Sequence, residues 1–294
     1  MVGLDEAYRA CQDLAASHYE NFPVASRLLP AALRPHVAAI YAFARTADDF
    51  ADEPGRDETE KLRLLAEWRG RLHRRGAASG ERRTDLIFAA LHATVERFEL
   101  PLQLFDDLLD AFAQDVTTDR YQTWAAVLDY CRRSANPVGR LVLRLSGYRD
   151  ERLDAASDAV CTALQLTNFW QDLGIDWPRG RLYVPEEVWR RHGADPATLG
   201  GAHITKEWQA ALRECGAQTR ALFEAGRPVC DGVEGRLRYE LRATWLGGTR
   251  ILTKLERAGY DVFRTRPALG AIDALVIACG TLSWRETRPS PTRS

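Results

Sequence analysis

Tyr41-Ala-Phe-Ala-Arg45-Thr-Ala-Asp48-Asp49-Phe-Ala-Asp52 decides how this chain is read, together with a second stretch, Gln165-Leu-Thr-Asn168-Phe-Trp-Gln-Asp172-Leu-Gly-Ile-Asp176. Neither holds a proline, and both read as helix. At 3.6 residues per turn, positions three or four apart share a face. Tyr41, Arg45, Asp48 and Asp52 therefore form one stripe, and Gln165, Asn168, Asp172 and Asp176 another. Each stripe carries two carboxylates one turn apart. Two such helices facing each other would bring four carboxylates and an amide oxygen to one spot. That is a ligand set for a hard cation such as Mg2+, which is commonly held by a few carboxylates plus phosphate oxygens of a substrate.

An acidic pair alone is more often a solvated helix face. Three details weigh against that here. Like charges at i,i+4 repel by roughly 0.2–0.5 kcal/mol per pair, so the spacing does not serve helix stability. Asp is a poorer helix former than Glu. The acids also sit among Ile40, Phe43, Phe50, Leu166, Phe169, Trp170 and Ile175, so both helices are expected to be largely buried, where a charge needs a partner or a metal.

The pattern Y-x-x-x-R-x-x-D-D-x-x-D followed by Q-x-x-N-x-x-x-D-x-x-x-D resembles the squalene/phytoene synthase family over roughly residues 10–285. The resemblance implies an all-α, single-domain isoprenoid-synthase bundle around a central cavity, spanning residues 1–285 with a disordered tail at 286–294. It implies an isoprenyl diphosphate substrate and two or three Mg2+ ions bridging diphosphate to Asp48, Asp52, Asn168, Asp172 and Asp176. The segments His18-Tyr-Glu-Asn-Phe-Pro-Val-Ala-Ser, Cys131-Arg-Arg-Ser-Ala-Asn-Pro-Val-Gly and Asn168-Phe-Trp-Gln-Asp look most like the bacterial hydroxysqualene synthases of hopanoid pathways. That branch takes presqualene diphosphate and water and needs no NADPH. Its neighbours in the family make presqualene diphosphate, squalene or phytoene. Some members are non-catalytic assembly factors with eroded aspartate motifs, whereas all four aspartates stand here at the expected spacing.

Composition sets the outer bounds. The chain is 46% hydrophobic and 28% charged, ordinary for a globular protein able to bury a sizeable core. A formal net charge of −1 gives no electrostatic reason to expect nucleic acid. Six cysteines without C-x-x-C spacing read as reduced thiols of a cytoplasmic protein. No signal segment or C-terminal anchor is visible. The longest apolar run, Ala268 to Trp284, is interrupted by Asp273 and reads as a core helix. A lipid substrate makes peripheral contact with the inner membrane face compatible with this reading, as are neighbouring pathway enzymes.

Taken in order, the pattern predicts helices over 4–19, from Pro35 to about Glu53, over 57–75, from Thr84 to Glu99, from Pro101 onward, over 123–147, 150–176, 205–230 and 235–258. Gly76–Arg83 reads as a polar linker. Asn136-Pro137 breaks the 123–147 helix, because proline removes a hydrogen bond and kinks the backbone. Asp110 and Asp115 suit a solvated face, although the resemblance puts an acidic residue near Asp115 on the cavity wall. The resemblance also makes Ser17, His18, Phe22, Tyr41, Tyr130, Asn136, Trp170 and Tyr183 candidate substrate contacts. Most family members have Arg before the Asp172 position and A-G-x-V-G at the kink. Here Gln171 and Ala135-Asn136-Pro137-Val138-Gly139 stand instead, which argues against the two-substrate reaction of those members. Asn136 and Gln171 are candidates to hold a reacting water. Arg45 and Arg181 suit diphosphate oxygens, the latter in the loop Arg179-Gly180-Arg181 directly after the second motif.

Overall fold

The computed structural model describes residues 3–17, 30–74, 80–201 and 203–285. The tail at 286–294 and the first half of the Gly76–Arg83 linker lie outside them. Among the described residues the fold is all-α, and β structure is confined to an isolated bridge between Arg120 and Leu182. The helices divide into two compact units, a division that the sequence reading does not draw. One comprises Met1–Asp119 and Asp129–Asp150, the other Arg120–Leu128 and Glu151–Ser294.

The first unit is built around α2 (Arg34–Asp52), which packs against α1 (Leu4–Ser17), α3 (Glu58–His73), α4 (Arg82–Phe98) and α5 (Leu102–Thr117). Pro35 stands in the first turn of α2, where a missing N–H costs nothing. Asp57 caps α3 by accepting from the Glu60 amide at 2.8 Å. An aromatic cluster fills the centre. Phe43 of α2 is fully buried, stacked on Trp68 at 5.9 Å and edge-on to Phe88 and Phe105. The Trp68 indole N–H donates to the Phe43 carbonyl, so even the polar edge of this cluster is satisfied.

The 123–147 stretch divides at the predicted Asn136-Pro137 break. α6 (Trp124–Ser134) contributes to both units, and α7 (Asn136–Leu145) starts at the proline. Ala135 sits at φ −114°, ψ −45° between them, and Asn136 and Pro137 are buried.

The second unit is organised on the long α8 (Glu151–Asp176), whose closest neighbour is α10 (Lys206–Gly226). Gly226 makes that approach possible: a Cβ there would lie 2.7 Å from the Ala156 carbonyl oxygen and 2.6 Å from Val160. The Trp170 indole donates to the Thr219 hydroxyl at 2.9 Å across the same seam. α9 (Glu186–Arg191) and α11 (Gly235–Arg257) complete the packing on α10.

The last helix departs from expectation. α12 (Ala271–Leu282) covers the run read as a core helix, yet Ile272, Leu275, Val276 and Leu282 are exposed. Its buried residues are instead Asp273 and Thr281. Asp273 anchors the helix to α11. Its carboxylate accepts from the Gly270 amide at 2.7 Å and pairs with Lys254 and Arg250. Hydrophobicity reports that a segment avoids water on average, but not which side of it meets the protein.

The Gly270 N–H, then Lys254 and Arg250, hold the Asp273 carboxyl well below the usual carboxylate range. A group depressed on folding stabilises the native state above its unfolded pKa of about 3.9, and that stability fades as pH falls below it. The difference in thermal midpoint between wild type and Asp273→Asn should therefore be widest above about pH 5 and shrink toward pH 3. A gap that stays constant with pH would remove the ionic anchor.

Candidate active site

On α2, Tyr41 is buried and Arg45, Asp48 and Asp52 follow on more accessible turns of the same face. Burial pushes the Tyr41 phenol up, while the nearby Arg45 acts in the opposite sense. Tyr41 therefore stays a neutral hydrogen-bonding group. Arg45 pairs with Asp49 at 2.8 Å and lies 3.5 Å from Asp48. Its guanidinium thus lies along the acidic stretch of its own helix, paired with two of its carboxylates. In the same unit the Tyr130 hydroxyl donates to Asp115 at 2.8 Å. Asp115 is therefore a partner that orients Tyr130. Asp110 pairs with Arg69, which supports the solvated-face reading for that residue.

On α8, Leu166, Phe169, Trp170 and Leu173 are buried, and Asn168, Asp172 and Asp176 occupy the accessible side with Gln165. The amide nitrogen of Asn168 donates to Asp172 Oδ2 at 2.8 Å. The other carboxylate oxygen of Asp172 accepts from Arg266 Nε. Arg266 was not legible from the sequence. It lies far along the chain, on a Pro-containing segment with no periodicity to mark it. Neighbouring Gln171, nearly buried, donates to the Pro267 carbonyl at 2.6 Å. Further along α8, Gly174 lets the backbone of the same segment approach, since a Cβ there would be 3.0 Å from the Val262 carbonyl oxygen. The second motif is thus edged by residues 262–267.

The loop after α8 turns at Gly180 (φ +86°), and the Arg181 amide donates to the Asp176 carbonyl at 3.1 Å. Tyr183 stacks face-on with Phe169 at 3.8 Å and lies parallel to Tyr121 at 5.8 Å. Trp170 meets Trp124 edge-on at 6.1 Å within the packed interior of the second unit. Ser17 closes α1 by donating to the Leu14 carbonyl, whereas His18 and Phe22 lie outside the described residues.

The donor chemistry fits Mg2+. Each motif offers hard carboxylate oxygens one turn apart on an accessible helix face, and Mg2+ takes one or two carboxylates and completes its shell with water and phosphate. Among the described residues no three His, Cys, Asp or Glu side chains gather closely enough to hold an ion.

The squalene/phytoene synthase family model matches residues 15–273. A hydroxysqualene synthase of Sinorhizobium fredii is 34% identical over 93% of this chain and 91% of its own. One of Zymomonas mobilis is 37% identical over 70% and 68%. The crystal structure of the squalene synthase HpnC from Alicyclobacillus acidocaldarius superposes with a TM-score of 0.80 at 36% identity, over 88% of this chain and 96% of that one. The chain belongs to the squalene/phytoene synthase family, enzymes that process isoprenoid diphosphates.

Proposed function

We propose that this chain is a hydroxysqualene synthase, converting presqualene diphosphate and water into hydroxysqualene and diphosphate. The observation that carries the choice within the family is its similarity to hydroxysqualene synthases along nearly the whole chain. Two departures from the two-substrate pattern agree with it, Gln171 before Asp172 and Asn136-Pro137 at the α6–α7 break.

Departure of diphosphate from a cyclopropylcarbinyl carbon builds negative charge on oxygen and leaves a cation on carbon. Asp48, Asp52, Asn168, Asp172 and Asp176 are the proposed holders of Mg2+, which when bound neutralises the leaving oxygens as a Lewis acid. Arg45 beside the first motif, and Arg181 and Arg266 beside the second, are suited to donate charge-assisted hydrogen bonds to diphosphate oxygens. Gln165 stands on the same side of α8 as Asn168, Asp172 and Asp176. Aromatic faces such as Tyr41 and Tyr130 stabilise the carbocation while apolar surroundings exclude stray nucleophiles. Cyclopropane rearrangement and capture by one water then give the alcohol, so no reductant enters the balance.

The test is one incubation of protein, Mg2+ and presqualene diphosphate, without NADPH, in 18O-labelled water. A labelled C30 alcohol is the expected product by mass spectrometry. Untouched presqualene diphosphate, with farnesyl diphosphate converted instead, would move the protein to a neighbouring step of the family. The similarity to the squalene synthase HpnC supports that second reading.

Gln171 provides a finer prediction. One N–H of its amide donates to the Pro267 carbonyl and ties the side chain to that segment, so Gln171→Leu should lower stability by about 1 kcal/mol and leave the share of alcohol among products unchanged. A shift of products away from the alcohol would make Gln171 the residue that holds the water.

A further inference from the structure

α12 is inside out. A surface helix ordinarily turns its apolar stripe inward and its polar residues to water. Here the inward positions are Asp273 and Thr281, and the outward ones include Ile272 at 77% exposure, Leu275 at 65% and Leu282 at 79%. Leu269, Val276 and Cys279 extend the same surface, which joins into one apolar strip along the helix. A contiguous apolar strip of this kind marks an interaction surface.

Charge flanks the strip on one side. A groove of about 280 Å³ runs beside α12, lined by Arg220, Arg250, Lys254 and Arg257 together with Trp245 and Ile277. Among the described residues, Glu256 pairs with Arg220, and Asp273 pairs with Arg250 and Lys254. At the far end of the helix the Arg227 guanidinium stacks 4.6 Å from the centre of the Trp284 ring. Aromatic and cationic side chains of this sort favour the headgroup level of a bilayer.

We propose that α12 is a membrane-docking helix, lying in the interface of an anionic bilayer with its apolar strip among the acyl chains and the α11 cations on the headgroups. Its twelve residues reach about 18 Å, far short of the ~30 Å hydrocarbon core, so it lies in the plane and does not cross. No helix among the described residues is long and apolar enough to cross a membrane. A second copy of the chain fits less well, because two such cationic rims would repel. A docked helix of this kind needs both buried apolar area and attraction to anionic lipid.

The test is flotation of the full chain with vesicles of phosphatidylcholine, alone or mixed with phosphatidylglycerol. Wild type should float with the anionic vesicles and much less with the neutral ones. Ile272→Gln/Leu275→Gln should reduce the bound fraction at least about tenfold with an unchanged melting curve, since both side chains already face water. Arg257→Glu, on an exposed turn, should weaken binding to anionic vesicles alone. Wild type that stays down with both vesicles would overturn the proposal. So would a double variant that floats as well as wild type, or one whose only change is dissociation of a dimer in sedimentation velocity. Flotation needs no substrate, so its failure would leave the proposed reaction untouched, and the reverse holds too.

Discussion

Asp172→Ala should lower turnover about a thousandfold while the protein stays folded. The expectation rests on what surrounds the carboxylate. Its two oxygens accept from Asn168 and Arg266, and its side chain keeps 19% of its surface open on the accessible face of α8. Deleting it removes one of the carboxylates proposed to hold Mg2+. The partner left behind, Arg266, is 43% exposed and returns to water, so the stability cost stays below about 1 kcal/mol. Asp48→Ala, on the other acidic helix, should behave in the same way. Product release measured alongside circular dichroism separates the two effects. Turnover retained in either variant would sink the metal assignment, and Asp172→Asn, which keeps one oxygen acceptor, should fall between.

Phe43→Ala should have the largest effect on stability, about 3–5 kcal/mol. Phe43 is fully buried on α2, and its ring meets Trp68, Phe88 and Phe105 from three other helices. Removing it leaves a cavity that these rigid rings cannot collapse to fill. For a chain of this size the thermal midpoint should drop by roughly 10 °C. The variant also separates packing from chemistry. Well below its midpoint it should still turn over substrate, because Asp48 and Arg45 project from the accessible side of α2. A loss under about 1 kcal/mol would mean that the cluster repacks.

Helix positions were legible because the chain punctuates them locally. Pro35, Asp57, Pro137 and Gly180 act through their own backbone or first-turn hydrogen bonds, and each marks the boundary or turn that the sequence suggests. The acidic stripes were legible because helical periodicity alone puts them on one face. What the sequence hid depends on distant partners. Arg266 meets Asp172 across a long stretch of chain, and Tyr130 meets Asp115 from another helix. Asp273 looked like a flaw in a core helix, but it is the residue by which that helix is attached, with the apolar side turned away. The division into two units was hidden for a similar reason, since α6 runs through it without a break in pattern.

The segment between α11 and α12 therefore works to a fixed length. At one end its backbone lies against Gly174, Arg266 grips Asp172 and Pro267 receives Gln171; at the other the Gly270 amide is clamped by Asp273. Inserting or deleting a residue there cannot be absorbed as slack in a loop. It must unfasten either the acid on α8 or the base of α12, so evolution and protein engineering are free to vary the sequence of this tether but not its span.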